Sequence, residues 1–188
     1  MNSRKFCVLI LLLGLLAPAA FAEPVESAAQ QYFSDTTLLD QNGDTQRFYS
    51  DLLDGKVVII NTFFTSCQGI CPVITAKLAK VQDWLGDRLG TEVHMVSISV
   101  DPETDTQEAV ARYSQQFGAR PGWYFLTGEG DDVRFLLSRL GEKTGAPEDH
   151  ASLLYMGNVP TELWKKVQGL SDVEDILVVL DTVLEDQG

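Results

Sequence analysis

The chain has 188 residues, 45% of them hydrophobic and 22% charged, with a formal net charge of −13. That length suffices for one domain with a proper core. The acidic balance argues against nucleic acid or anionic lipid as a partner, and an acidic surface that keeps the protein in solution accounts for it.

Residues 1–22 read as a secretory signal peptide. "MNSRK" is a basic start, "FCVLILLLGLLA" is an apolar run too short for a comfortable membrane span, and Ala20 and Ala22 supply the A-x-A cleavage pattern. The competing reading is an uncleaved N-terminal membrane anchor. Cleavage after Ala22 removes Cys7, and with it Arg4 and Lys5; two positive charges and no acids leave, so −13 becomes −15. The exported chain then holds Cys67 and Cys71 alone, in a compartment where neighbouring thiols tend to oxidise. In a bacterial cell that compartment is the periplasm.

Residues 23–32 read as an N-terminal arm and 33–188 as one domain. "TTLLDQNGDTQRFY" predicts a β-hairpin turning at Asn42-Gly43. "KVVIINTFF" (56–64) predicts a strand buried on both faces. Pro72 marks a helix start, and Ile74, Leu78, Val81 and Leu85 follow at helical spacing. "EVHMVSISV" (92–100) predicts a second buried strand. Thr106 is positioned to cap the helix that carries Val110, Tyr113 and Phe117. "WYFLTG" predicts a short strand, Val133 to Leu140 a helix stopped by Gly141, and "SLLYMG" with "LWKKVQ" an antiparallel pair. Ser171 with Glu174 suggests a capping box for the last helix. This order predicts an α/β fold with a central mixed sheet flanked by helices and an N-terminal β-hairpin. Trp84, Phe117, Trp123 and Phe125 read as packing residues, as do Met95 and Met156. Asp101, Glu103 and Asp105 read as a strand end and a first helical turn.

The cysteines form C-x-x-x-C in "TFFTSCQGICPVI", where a central strand hands over to a helix. Open α/β sheets place their sites at that end. So small a disulfide loop would constrain little chain, so chemistry is the better reason for the pair. Residues four apart on a helix share a face, and Gly69 lets the loop turn. Cys71, next to the free N–H groups of the helix start, is expected to favour the thiolate. Two thiolates suit copper(I) or zinc but leave either short of ligands. His94 lies among strand residues and reads as a core or strand-edge histidine. His150, beside Asp149 in a polar loop, either completes a Cys₂His set or is simply solvated; the residues alone leave both open.

"NTFFTSCQGICPVI" resembles the metal loop of the Sco/SenC proteins, F-T-x-C-P-x-x-C-P. "VSISVDPETDTQEAVARY" is similar to their second core strand and next helix, "DQNGDTQRFYSDLLDGKVVIINTFF" to their leading hairpin and first strand, and "EDHASLLY" to their V-D-H-S-x-x-x-Y segment. The resemblance implies a thioredoxin-like fold and one copper ion, Cu(I) or Cu(II), held by Cys67, Cys71 and His150; Asp149, beside His150, is expected either to orient the imidazole or to be simply a loop acid. It further implies a metallochaperone that delivers copper to, or reduces the cysteines of, the binuclear site of the copper-bearing subunit of cytochrome c oxidase, or that serves another exported copper protein. Gln68 and Ala151 depart from the family pattern, which has Pro after the first cysteine and Ser after the histidine. The alternative function is a thiol–disulfide reductase or redox sensor with Cys67 and Cys71 as the catalytic redox pair and metal incidental. A peroxiredoxin-like peroxidase lacks its motif, since Ile60 and Phe64 stand where Pro and Thr are required. Structural zinc lacks a fourth ligand.

Overall fold

A computed structural model describes residues 26–142 and 145–188. The signal sequence expected over 1–22 lies outside these residues. The expected arm contains a short helix, α1 (Ala28–Phe33), started by Ser27, whose hydroxyl accepts from the Gln30 N–H at 3.0 Å. The hairpin follows as β1 (Thr37–Leu39) and β2 (Thr45–Arg47). Its turn is held by buried Asp40, which accepts from the Asn42 and Asp44 N–H groups, with Gly43 at φ 84°. A π-helical segment, Phe48–Leu53, then buries Phe48, Tyr49, Leu52 and Leu53.

Every residue of β3 (Val57–Phe63) is buried. It runs parallel to β4 (Val93–Ser99), which pairs in parallel with β5 (Trp123–Leu126). On its other side β3 pairs antiparallel with β6 (Leu153–Asn158), which pairs antiparallel with β7 (Leu163–Gln168). The sheet order is β5-β4-β3-β6-β7, a mixed sheet as expected. The hairpin covers its β5 edge: the Gln41 side chain donates to the Trp123 carbonyl and accepts from the Phe125 N–H, both at 2.8 Å.

Alternation along β3 makes two cores. Val57, Ile59 and Phe63 pack against α2 (Ile70–Leu85), α3 (Gln107–Gln116) and α5 (Val173–Leu184). Val58 and Ile60 pack against α1, the π-helical segment and α4 (Gly130–Leu140). Asn61 sits on the first face, where Ser97 Oγ donates to it at 2.7 Å and accepts from Trp123 Nε1 at 3.1 Å. By the same alternation Thr62 faces the α4 side.

Three local expectations change. Helix α2 starts at Ile70, so Pro72 lies inside its first turn, where a missing N–H leaves no hydrogen bond unmade. No capping box forms at α5: its N-cap is Asp172, without a side-chain cap bond, and Lys77 of α2 donates to the Ser171 carbonyl at 2.8 Å instead. Trp84 is exposed, with the Arg88 guanidinium 4.3 Å from its ring centre. Among the described residues no helix is long and apolar enough to cross a membrane.

Candidate metal centre

The chain leaves β3 at Phe63, and Cys67 N–H turns back to the Phe64 carbonyl at 3.2 Å. Between them Thr65 is tied down by Asp105, which is fully buried. The Asp105 carboxylate accepts from Thr65 N–H at 3.1 and 3.2 Å, from the Thr65 hydroxyl at 2.5 Å and from the Ser99 hydroxyl at 2.6 Å. Asp105 is thus more than the strand-end or first-turn acid its sequence position suggests. It precedes the cap residue Thr106, and a carboxylate at the carboxyl end of a buried strand, next to a loop with free N–H groups, was the available signal. Its neighbour Glu103 points to Arg134 at 3.5 Å.

Cys71 is the second residue of α2 and is 2% exposed, whereas Cys67, in the loop before it, is half-buried. His150, in the loop after α4, is brought back across 79 residues to place Nε2 3.6 Å from Cys71 Sγ. Its Nδ1 stands 3.0 Å from Thr62 Oγ1 and 3.2 Å from the Ala151 carbonyl. Phe64 packs edge-on to the ring, with 5.8 Å between centroids. Phe64, Cys67, Gln68, Gly69, Glu148 and His150 line one open cleft. Asp149, a candidate to orient the imidazole, is exposed, and the hydrogen bonds described for the ring run to Thr62 and Ala151 instead. His94 is buried well away from this cleft, with Nδ1 2.8 Å from the Leu52 carbonyl, the core role expected of it.

The two thiols differ. Burial pushes the Cys71 thiol up to about 12, and its hydrogen bond with Cys67 adds to the rise. Partial burial alone would raise Cys67 too, but hydrogen bonds from the Cys71 thiol and from the Cys71, Gly69 and Ile70 N–H groups outweigh it, and the net shift is downward. The expectation that the helix start favours thiolate at Cys71 is therefore corrected. Cys71 is already inside the first turn and desolvated, and the free N–H groups of that turn point at Cys67.

Among the described residues no three His, Cys, Asp or Glu side chains stand close enough together to hold a metal ion. The observed contact is Cys71 with His150, and Cys67 lies in the loop just before α2. Two sulfurs and one imidazole nitrogen, once drawn to one point, would make a soft donor set that suits copper(I), and the nitrogen would extend it to copper(II).

Residues 25–185 match the SCO1/SenC family model. The chain belongs to the SCO1/SenC family. A SCO2-like protein of Rickettsia conorii is 34% identical to it over 100 residues, 53% of this chain and 46% of that one, so this SCO1/SenC chain spans about half the length of the relative. A crystal structure of Arabidopsis thaliana ScoI with copper bound is 27% identical, with a TM-score of 0.66 over 80% of this chain and 96% of that one. A structure of BsSco, a member of the Sco family of cytochrome c oxidase assembly proteins in which a disulfide switch was identified, is 27% identical, with a TM-score of 0.64 over 78% of this chain and 90% of that one. The fold of this SCO1/SenC chain is thioredoxin-like, its central mixed sheet flanked by helices.

Proposed function

We propose that this protein is an exported copper carrier that takes one copper ion as cargo on Cys67, Cys71 and His150. It passes that ion to the copper-bearing subunit of cytochrome c oxidase or to another exported copper protein, working in the periplasm in a bacterial cell. The observation that carries the reading is the 3.6 Å approach of His150 Nε2 to Cys71 Sγ across 79 residues, with Cys67 four positions before that sulfur and lining the same cleft as His150. The copper-bound relative supports it. Two thiolates suffice for copper(I), and the imidazole adds the nitrogen that copper(II) prefers. Cys67 and His150 line an open cleft beside buried Cys71, which leaves room for a ligand of the acceptor to enter, so cargo can move by ligand exchange.

The test is copper titration of the reduced chain beside Cys67→Ala, Cys71→Ala and His150→Ala. The parent is expected to take one ion and to develop a sulfur-to-copper(II) charge-transfer band that each substitution removes. Binding by all three variants as by the parent would end the proposal.

A second reading has its own observation: an accessible thiol with lowered pKa beside a buried partner thiol. That is the arrangement of a dithiol reductant. Cys67 thiolate attacks a target disulfide to give a mixed disulfide. Cys71 then attacks Cys67 sulfur, the target leaves as a dithiol with two electrons and two protons, and a Cys67–Cys71 disulfide remains for an external thiol reductant to reopen. His150→Ala separates the readings, because a reductase tolerates it and a copper(II) carrier does not.

A further inference from the structure

The imidazole of His150 is held from within the sheet rather than by its sequence neighbour. Thr62 is 4% exposed on the central strand β3, and its hydroxyl lies 3.0 Å from His150 Nδ1. The other neighbour of Nδ1 is the Ala151 carbonyl at 3.2 Å, and the Thr62 hydroxyl lies 3.5 Å from that same carbonyl. A carbonyl oxygen only accepts. The proton of a neutral imidazole therefore belongs on Nδ1, where Thr62 and Ala151 share it. Nε2 keeps its lone pair, and that lone pair is the one facing Cys71 Sγ at 3.6 Å. The loop beneath the ring is fixed independently. Ala151 N–H donates to Glu142 Oε2 at 2.7 Å, and Tyr155, which pairs with Ile60 of β3, donates to Glu142 Oε1 at 3.0 Å. With the backbone clamped, the ring's remaining freedom is rotation and choice of tautomer, and Thr62 restricts both.

We infer that Thr62 is a positioning residue for the site: its hydroxyl fixes the His150 tautomer and ring orientation that present Nε2 to a metal already held by Cys67 and Cys71. The inference rests on the copper reading above. Hydrogen-bond partners of a ligating histidine raise its basicity and set its angle, and their loss typically weakens metal binding by about 10- to 100-fold. Here the effect falls on one oxidation state. Copper(I) is satisfied by two thiolates, whereas copper(II) needs the nitrogen.

The experiment compares the full chain with Thr62→Val, which keeps the shape and removes the hydroxyl, and Thr62→Ser, which keeps the hydroxyl; His150→Ala runs in parallel. Copper(I) affinity is measured by competition with a chromophoric chelator. Copper(II) binding is measured by the charge-transfer band and by the nitrogen hyperfine coupling of the bound ion. Thr62→Val is expected to lose copper(II) affinity by about 10-fold or more and to shift the band, with copper(I) affinity within about threefold of the parent, which also shows that the variant is folded. Thr62→Ser is expected to restore the parental band. If His150→Ala abolishes the copper(II) signature and Thr62→Val matches the parent in band and affinity, the positioning role is wrong and the copper site stands. Equal loss of copper(I) and copper(II) binding in Thr62→Val makes the residue merely structural and also overturns the role. If His150→Ala leaves the copper(II) signature intact, both proposals fall.

Discussion

Replacing Asp105 with alanine removes the acceptor for three donors at once: Thr65 N–H, the Thr65 hydroxyl and the Ser99 hydroxyl. The Asp105 carboxylate is fully buried, so water cannot readily take its place. A main-chain N–H left without a partner in such a place costs about 1–3 kcal/mol. The two hydroxyls can rotate toward other acceptors and cost less, about 1 kcal/mol each. The sum is about 3–5 kcal/mol, a large share of the ~5–15 kcal/mol that a domain commonly has. Asp105→Asn keeps one acceptor oxygen and should lose only about 1–3 kcal/mol. Urea unfolding of the reduced, metal-free protein measures both. Because Thr65 precedes Cys67 by two positions, Asp105→Ala should also loosen the turn that aims N–H groups at Cys67 sulfur, and its alkylation should slow at neutral pH. A loss below about 1 kcal/mol with an unchanged denaturant slope, and an unchanged alkylation rate, would refute the claim that this carboxylate holds the cysteine loop.

Cys67 should react first with iodoacetamide, its rate rising through a midpoint below the ordinary thiol value of about 8.5, while Cys71 stays protected across that range; mass spectrometry of the singly modified chain checks the order. Burial holds the His94 pKa down, so the unfolded chain binds a proton there that the folded chain refuses. Stability should therefore fall as pH drops below about 6.5 toward the depressed folded value, and His94→Gln should flatten that slope in urea midpoints recorded against pH. Gly122→Ala should cost about 3 kcal/mol or more: its φ is +98°, and an added Cβ would come within 2.5 Å of Gly90 Cα, a backbone atom that cannot swing aside. Thermal unfolding followed by circular dichroism tests it, and a midpoint equal to the parent's would show that the turn before β5 can open.

Much of the frame was legible in the residues, because periodicity is a local property. The continuous apolar run of β3 announced a strand buried on both faces, and the spacing in "CQGICP" put two sulfurs at one strand-to-helix junction. Asn42-Gly43 marked the hairpin, and Thr106 marked a helix start that its hydroxyl does cap at 3.3 Å. The family pattern singled out His150 as the third donor now proposed. Tertiary structure decided what depends on burial and on distant partners. It assigned the lowered pKa to Cys67 rather than Cys71, since desolvation outweighs the field of the helix start once a residue lies inside the turn. It turned Asp105 into a lock on the cysteine loop and Glu142 into a clamp on the histidine loop. It gave the Nδ1 face of His150 to Thr62, a partner 88 residues away, and left the adjacent Asp149 exposed. Sequence spacing governs which side chains share a helix face or a strand face. Which of them meet across the sheet, and how much water remains when they do, is set only when the layers pack.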